Sequence, residues 1–233
     1  MAAPAPPAAA RQIFGERLPL AAAYADLLAT EGVVRGLIGP RETPRIWDRH
    51  LLNSAAVAEL IPPAVFVVDV GSGAGLPGLV LALARTDLSV ALVEPMARRT
   101  AFLTEAVSAL RLADRVSVVR ARAEEAAPAL PGPADVVTAR AVAPLDRLAA
   151  WCLPLAAVGG RLLAIKGASA AEEIAVHAAA VRRAGGAIPV VRECGVGLLD
   201  QPTTVVEIVK ERAIDWSARW SGRGGRRGGA RGR

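Results

Sequence analysis

One stretch of the chain has the spacing of a turn that holds a small ligand against bare backbone: Asp69-Val-Gly71-Ser-Gly73-Ala-Gly75-Leu-Pro-Gly78. Glycines in such a turn permit positive φ and let a ligand lie close to the main chain. Pro77 suits the first turn of a following helix, where its missing N–H costs little. Gly73-x-Gly75-x-x-Gly78 matches a dinucleotide fingerprint, but the match starts late, because Gly71 already follows Asp69 by two residues. An acid at the mouth of the loop is unhelpful to phosphates and helpful to cations. Glu94 lies 25 positions after Asp69. A carboxylate there can accept both ribose hydroxyls of an adenosine.

Two cofactor classes therefore compete. A dinucleotide brings two phosphates; S-adenosylmethionine brings an ammonium and a sulfonium. An acid at a strand end followed by Gly-x-Gly looks like the first motif of class I methyltransferases, with Asp69 taking a hydrogen bond, directly or through water, from the cationic amino-acid moiety. Glu94 serves either cofactor. Arg122-Ala-Glu124-Glu125 follows a later strand, and Arg140 ends another. In a methyltransferase sheet the first point flanks the adenine and the second faces the transfer mouth.

The elements that must position these residues are legible in the hydrophobic period. Residues 65–70 form a short apolar run ending in glycines, which is the pattern of a buried parallel strand. Strands are expected at 89–93, 116–119, 135–138, 161–165, 188–191 and 203–209, and helices at 78–85, 97–110, 145–153 and 170–184. Strand alternating with helix implies an α/β fold, here a mainly parallel seven-stranded sheet. No helical pattern separates the last two strands, so they are expected to pair antiparallel. Ahead of the sheet, helical periods at 11–37 and 46–60 predict a small helical cap, stopped by Pro62-Pro63. The expected division is a disordered Ala/Pro segment at 1–10, the cap at 11–63, the ligand-binding domain at 64–212 and a disordered Arg/Gly tail at 213–233.

Composition excludes several classes. The chain has 233 residues, of which 53% are hydrophobic, so disorder cannot extend over most of it. Two cysteines (Cys152, Cys194) and two histidines (His50, His177) make neither a disulfide scaffold nor a Cys/His zinc cluster, and no metal is expected. The cysteines are expected to be buried thiols. No apolar run reaches a membrane span, and the first residues lack the pattern of a secretion signal, so a cytoplasmic setting is expected. The net charge of +6 is carried mostly by Arg223, Arg226, Arg227, Arg231 and Arg233; the rest is nearly neutral. That tail resembles sequence-tolerant RNA-binding segments, with a solubilising role as the alternative.

Several runs together resemble one family. They are Val68-Asp-Val-Gly-Ser-Gly-Ala-Gly-Leu-Pro-Gly78, Glu94-Pro-Met-Ala-Arg98-Arg99-Thr-Ala-Phe102-Leu103, Arg122-Ala-Glu-Glu125, Thr138-Ala-Arg-Ala-Val-Ala-Pro-Leu145 and Lys166-Gly167, with Trp47-Asp-Arg-His50-Leu-Leu-Asn53-Ser upstream. The set is similar to the bacterial small-subunit rRNA guanine-N7 methyltransferases, the GidB or RsmG family, over about residues 46–210. The family often carries aspartate where Asn53 stands. The resemblance implies a Rossmann-like sheet with a helical cap, and methyl transfer from S-adenosylmethionine to N7 of a guanine in 16S rRNA of the small ribosomal subunit. It carries cofactor contacts onto Gly71, Leu76, Ala123, Glu124 and Arg140; Asp69, Gly73, Gly75 and Glu94 join them from the loop reading.

The chemistry agrees with such a site. Guanine N7 has a lone pair and no proton to lose, so attack on a sulfonium methyl needs orientation and desolvation rather than a general base. The sequence offers no nucleophile triad, and no Asn-Pro-Pro-aromatic motif for adenine N6 chemistry. Arg140 or Lys166 could orient the guanine O6 or a phosphate. Arg45, Arg49, His50, Arg98 and Arg99 are the remaining candidates for RNA contact, with a structural role for His50 and a solvated face for the arginines as the alternatives. A small-molecule methyltransferase, a cofactor-binding assembly factor without turnover and, more distantly, an NAD dehydrogenase are the rivals. A monomer is expected.

Overall fold

A computed structural model describes residues 2–140 and 143–214 of the chain. Trp216, Trp220 and the arginine-rich tail lie outside the described residues.

The helices are α1 (Ala8–Phe14), α2 (Leu18–Leu27), α3 (Asn53–Ala56), α4 (Gly78–Ala84), α5 (Ala97–Ala109), α6 (Leu145–Cys152) and α7 (Ala170–Arg183). The strands are β1 (Phe66–Val70), β2 (Ser89–Val93), β3 (Val116–Val119), β4 (Ala134–Arg140), β5 (Ala156–Ile165), β6 (Val190–Cys194) and β7 (Thr203–Val209). They form one sheet in the order β3-β2-β1-β4-β5-β7-β6. β1 to β5 pair in parallel, whereas β7 is antiparallel to both β5 and β6. The chain steps outward from β1 through β2 to β3, then crosses to β4. The reversal falls between β1 and β4, and in doubly wound sheets ligands bind beyond the strand ends at that point.

Alternation along each strand divides the interior in two. Val67, Leu92, Val136, Leu163 and Val205 face a core shared with the cap, α4 and α5, including Tyr24, Leu28, Leu51 and Phe102. Val68, Val93, Val137, Leu162 and Val206 face the opposite core, with Leu148, Cys152 and Val181 of α6 and α7. Both faces are covered, which is why these strands read as continuous apolar runs. Cys152 and Cys194 are buried free thiols, and burial pushes the Cys194 thiol up to about 11.

The cap is less regular than its sequence period. A 3-10 turn at Gly15–Arg17 breaks the expected 11–37 helix, which then passes through a π turn at Leu28–Gly32 and ends at Val34. The 46–60 stretch is helical throughout, in π, α and 3-10 segments. The N-terminal segment is a correction to the expected disorder at 1–10. α1 starts at Ala8, Ala10 is buried, the Ala3 N–H donates to Asp26 Oδ1 (2.9 Å), and the Trp47 indole N–H donates to the Pro4 carbonyl (2.8 Å). The buried indole donor needs an acceptor, and the Pro/Ala segment supplies one. β5 starts five residues before its expected 161, past Gly160. A Cβ on Gly160 would stand 2.8 Å from the Asp135 carbonyl oxygen, so only glycine lets β5 run alongside the start of β4.

Candidate active site

The glycine loop leaves β1 at the switch point with Gly71, Gly73 and Gly75 at φ of 69°, 58° and 98°. Gly71 N and Ser72 N donate to the Val93 carbonyl at the end of β2, and Gly75 N and Leu76 N donate to the Ser72 carbonyl. The glycines differ in purpose. A Cβ on Gly73 would meet only the Gly71 carbonyl at 3.8 Å, so the backbone there faces open space. A Cβ on Gly75 would press on Leu79 and Tyr24, and one on Gly78 on Asp69 and Leu92. Gly73 leaves room for a ligand; Gly75 and Gly78 permit packing.

Asp69 sits beneath the loop and is 0% exposed. Its Oδ1 accepts from Thr138 Oγ1 (2.8 Å) and its Oδ2 from the Gly78 N–H (3.1 Å). Burial raises its pKa to about 6, opposed by these hydrogen bonds and by Arg140. The carboxylate fixes the start of α4 against β1. Glu94 is 1% exposed; its Oε2 accepts from the Gly73 N–H and its Oε1 from the Met96 N–H, both at 3.0 Å. The glycine loop and the end of β2 are thus joined through the carboxylate that the 25-residue spacing singled out.

Neighbouring strand ends complete the rim. Glu94 N donates to the Val119 carbonyl, and the 3-10 turn Ala123–Glu125 follows β3 with Ala123 half-buried and Glu124 exposed. Val70 pairs with Ala139, so Arg140 stands beside Gly71. Arg140 is tied to the cap: Nη1 donates to the Arg49 carbonyl (3.2 Å) and Ser54 Oγ (3.3 Å), and Nη2 lies 2.7 Å from His50 Nδ1. A guanidinium can only donate, so Nδ1 accepts and neutral His50 carries its proton on Nε2. That Nε2 is buried, 3.3 Å from Glu42 Oε2 but out of line for a hydrogen bond.

A cleft of about 1030 Å³ opens between the cap, the ends of β4 and β5 and the loop before β7. Arg45, Arg49, His50, Arg140 and Lys166 all line it. Arg98 and Arg99 do not; they sit at the start of α5, Arg98 exposed and Arg99 Nη1 3.6 Å from Glu94 Oε2. Lys166 donates to the Ala143 carbonyl (2.9 Å) and to Glu173 Oε1 (2.8 Å), and the same Oε1 accepts from the Leu145 N–H. Its ammonium braces the segment after β4. Asn53 donates to Thr203 Oγ1, which donates back to the Asn53 carbonyl, stitching cap to β7. Sequence reasoning missed Tyr24, Thr138 and Glu173 as site residues. The partners of Tyr24 and Thr138 lie 50 and 69 positions away, where only the topology joins them, and Glu173 reaches both Lys166, seven positions away, and the Leu145 N–H, 28 away.

The His50–Arg140 contact makes a pH prediction. Burial, aided by Arg140, lowers the His50 pKa to about 4. Between pH 6.5 and 4 the unfolded chain binds the proton that the native state refuses, so stability falls with pH by about 3 kcal/mol from this group. Asp69, raised to about 6, acts the other way: its protonation below pH 6 stabilises the native state. His50→Asn keeps an acceptor for Arg140 and removes the titration. Thermal melts from pH 7 to 4.5 should show the variant losing less stability than the parent; parallel profiles would refute the assignment.

Comparison with known proteins agrees with this geometry. The family description "GidB: rRNA small subunit methyltransferase G" matches residues 17–197. Ribosomal RNA small subunit methyltransferase G of Salinispora tropica is 69% identical over 210 residues, covering 88% of this chain and 87% of the relative. The protein of the same name from Corynebacterium efficiens is 55% identical over 208 residues, covering 89% of each. Among solved structures, the mitomycin 7-O-methyltransferase MmcR aligns with a TM-score of 0.57 at 20% identity, covering 80% of this chain and 60% of that one. Cofactor-bound Rv0187 from MTB aligns at 0.55 and 21%, covering 84% and 91%. These two show the fold alone, a methyltransferase-type sheet. With the family description spanning the cap, the glycine loop and the strand ends that carry Glu94 and Arg140, the chain belongs to the rRNA small subunit methyltransferase G (GidB) family.

Proposed function

We propose that the protein transfers a methyl group from S-adenosyl-L-methionine to N7 of a guanine in 16S rRNA of the small ribosomal subunit, acting as a cytoplasmic monomer. Among the described residues no helix is long and apolar enough to cross a membrane.

The observation that carries this reading is the junction of Gly73 and Glu94: a backbone turn open to a ligand, with a carboxylate bonded to its N–H. That donor and acceptor set fits the donor's nucleoside. Glu94 would take the ribose hydroxyls, Gly71 and Leu76 the loop contacts, and Ala123 and Glu124 the adenine edge. Bound there, the sulfonium supplies an electrophilic methyl carbon. Asp69 acts through the loop it anchors.

The chain's part in transfer is orientation. His50 is the histidine of the cleft, and it is neutral near pH 7 with Nδ1 already engaged by Arg140. A nucleophile with a free lone pair, such as guanine N7, asks for no base from it. Arg140, which lines the cleft, would take the O6 side of a purine, and Arg45 and Arg49, which line it too, would take phosphates. Arg98 and Arg99 lie on the Glu94 side and would meet RNA elsewhere on its path.

Labelled methyl donor incubated with small-subunit particles lacking the modification should mark one guanine at N7. Label on another atom or base, or labelling of small molecules only, would overturn the reading. Tight donor binding with no transfer would support a non-catalytic assembly factor instead.

A further inference from the structure

Tyr24 is the chain's single tyrosine. It lies on α2 of the cap, is 0% exposed, and its hydroxyl donates to the Ala74 carbonyl at 2.6 Å, across 50 positions of sequence. The next N–H, that of Gly75, donates to the Ser72 carbonyl. The peptide plane between Ala74 and Gly75 is therefore held at both ends, by the cap on one side and by the loop on the other. Gly75 has φ of 98° and no side chain to resist rotation, so such a plane turns readily unless fixed. The fit is close: a Cβ on Gly75 would stand 2.8 Å from the Tyr24 hydroxyl.

The remaining ties on the loop come from the sheet half. Ser72 Oγ donates to the Asp69 carbonyl, Gly78 N to Asp69 Oδ2 and Gly73 N to Glu94 Oε2. Among the described residues, Tyr24 supplies the cap's side-chain hydrogen bond to this loop. Burial holds its pKa far above the ordinary tyrosine value, so the phenol keeps its proton and remains a donor.

We propose that Tyr24 is a positioning residue through which the cap sets the Ala74–Gly75 peptide plane, and with it the affinity of the glycine loop for the methyl donor. This rests on the reading of that loop as the S-adenosylmethionine cradle. α2 also packs against the turn Ile46–Leu52, which carries Arg49 and His50, so one rigid cap serves both halves of the site.

Tyr24→Phe keeps the ring in the core and deletes the donor. Calorimetry with S-adenosylhomocysteine should show about tenfold weaker binding, equivalent to about 1.4 kcal/mol. The KM for the methyl donor should rise in step, with kcat and the KM for rRNA within about twofold. A merely structural tyrosine would lower the melting temperature and leave that split absent. The single tyrosine allows a second measurement on the unmutated chain. Incorporated 3-fluorotyrosine should give one fluorine resonance that shifts on saturation with S-adenosylhomocysteine, and this decides the matter alone if the phenylalanine variant does not fold. Unchanged affinity in the folded variant, or a stationary resonance while calorimetry records binding, overturns the role of Tyr24. Absence of any binding to the parent protein removes the reading of the loop, and this proposal with it.

Discussion

Arg140→Ala should lower kcat/KM for methyl transfer by about 10²–10³, the range seen when one preorganised donor is removed from a transition-state site. The guanidinium is placed by two independent constraints. The β1–β4 register sets its Cα beside Gly71, and three cap groups hold its head: the Arg49 carbonyl, Ser54 Oγ and His50 Nδ1. Such pre-ordering is what makes a donor effective, because no reorganisation is required at the moment of transfer. Alanine also leaves the buried Ser54 Oγ and His50 Nδ1 short of a partner, and an unsatisfied buried group costs about 1–3 kcal/mol. A melting temperature lower by several degrees is therefore expected alongside the kinetic loss. Arg140→Lys separates the two effects. It keeps the charge but lacks the planar fork that reaches three acceptors. An intermediate rate with a partial loss of stability is the expected pattern. Full activity in the alanine variant would remove Arg140 from the site.

The sheet was legible because its strands are buried on both faces and bounded by glycine or helix signals; β2 and β7 fall where the period put them. The cap was legible only in outline, since π and 3-10 turns preserve an apolar face without announcing their pitch. The site followed the same division. Glu94 stands at the end of β2 beside the glycine loop, where the spacing from Asp69 put it, because one strand–helix–strand unit fixes that separation; its bond to the Gly73 N–H was not legible. Asp69 stands near the end of β1, where the apolar run put it, but its protein partners were only partly legible. Thr138 on β4 reaches it through a strand crossover that local pattern does not encode, whereas the Gly78 N–H comes from the loop that follows it. Lys166 shows the same limit: its place in the cleft could be read from its run, but its ion pair with Glu173 of α7 could not. Charge patterns give location, and topology decides what the charge is spent on.

Gly78→Ala should abolish donor binding and destabilise the fold by about 3–5 kcal/mol. The added Cβ would overlap Leu92 Cδ2 and stand 2.8 Å from both Cβ and Oδ2 of Asp69. None of these atoms is free to yield: Leu92 is buried in β2, and the Asp69 carboxyl is fixed by Thr138. Overpacking of this kind costs about 1–3 kcal/mol, and moving α4 away also takes the Gly78 N–H from a buried carboxylate, a loss of similar size. The penalty should depend on pH in a direction that identifies its source. The Asp69 pKa is already raised to about 6, and losing a donor to its charged form raises it further. Above that value the variant bears the full cost of an under-solvated anion. As pH falls from 7 towards 5 the carboxyl takes up a proton, and the gap between variant and parent should narrow. A gap independent of pH would assign the damage to packing alone. Gly73→Ala is the control, because its Cβ points into open space and pays only for a positive φ of 58°. That variant should fold close to normally and still bind S-adenosylhomocysteine poorly, since the added methyl would occupy the side of the loop left bare for the ligand.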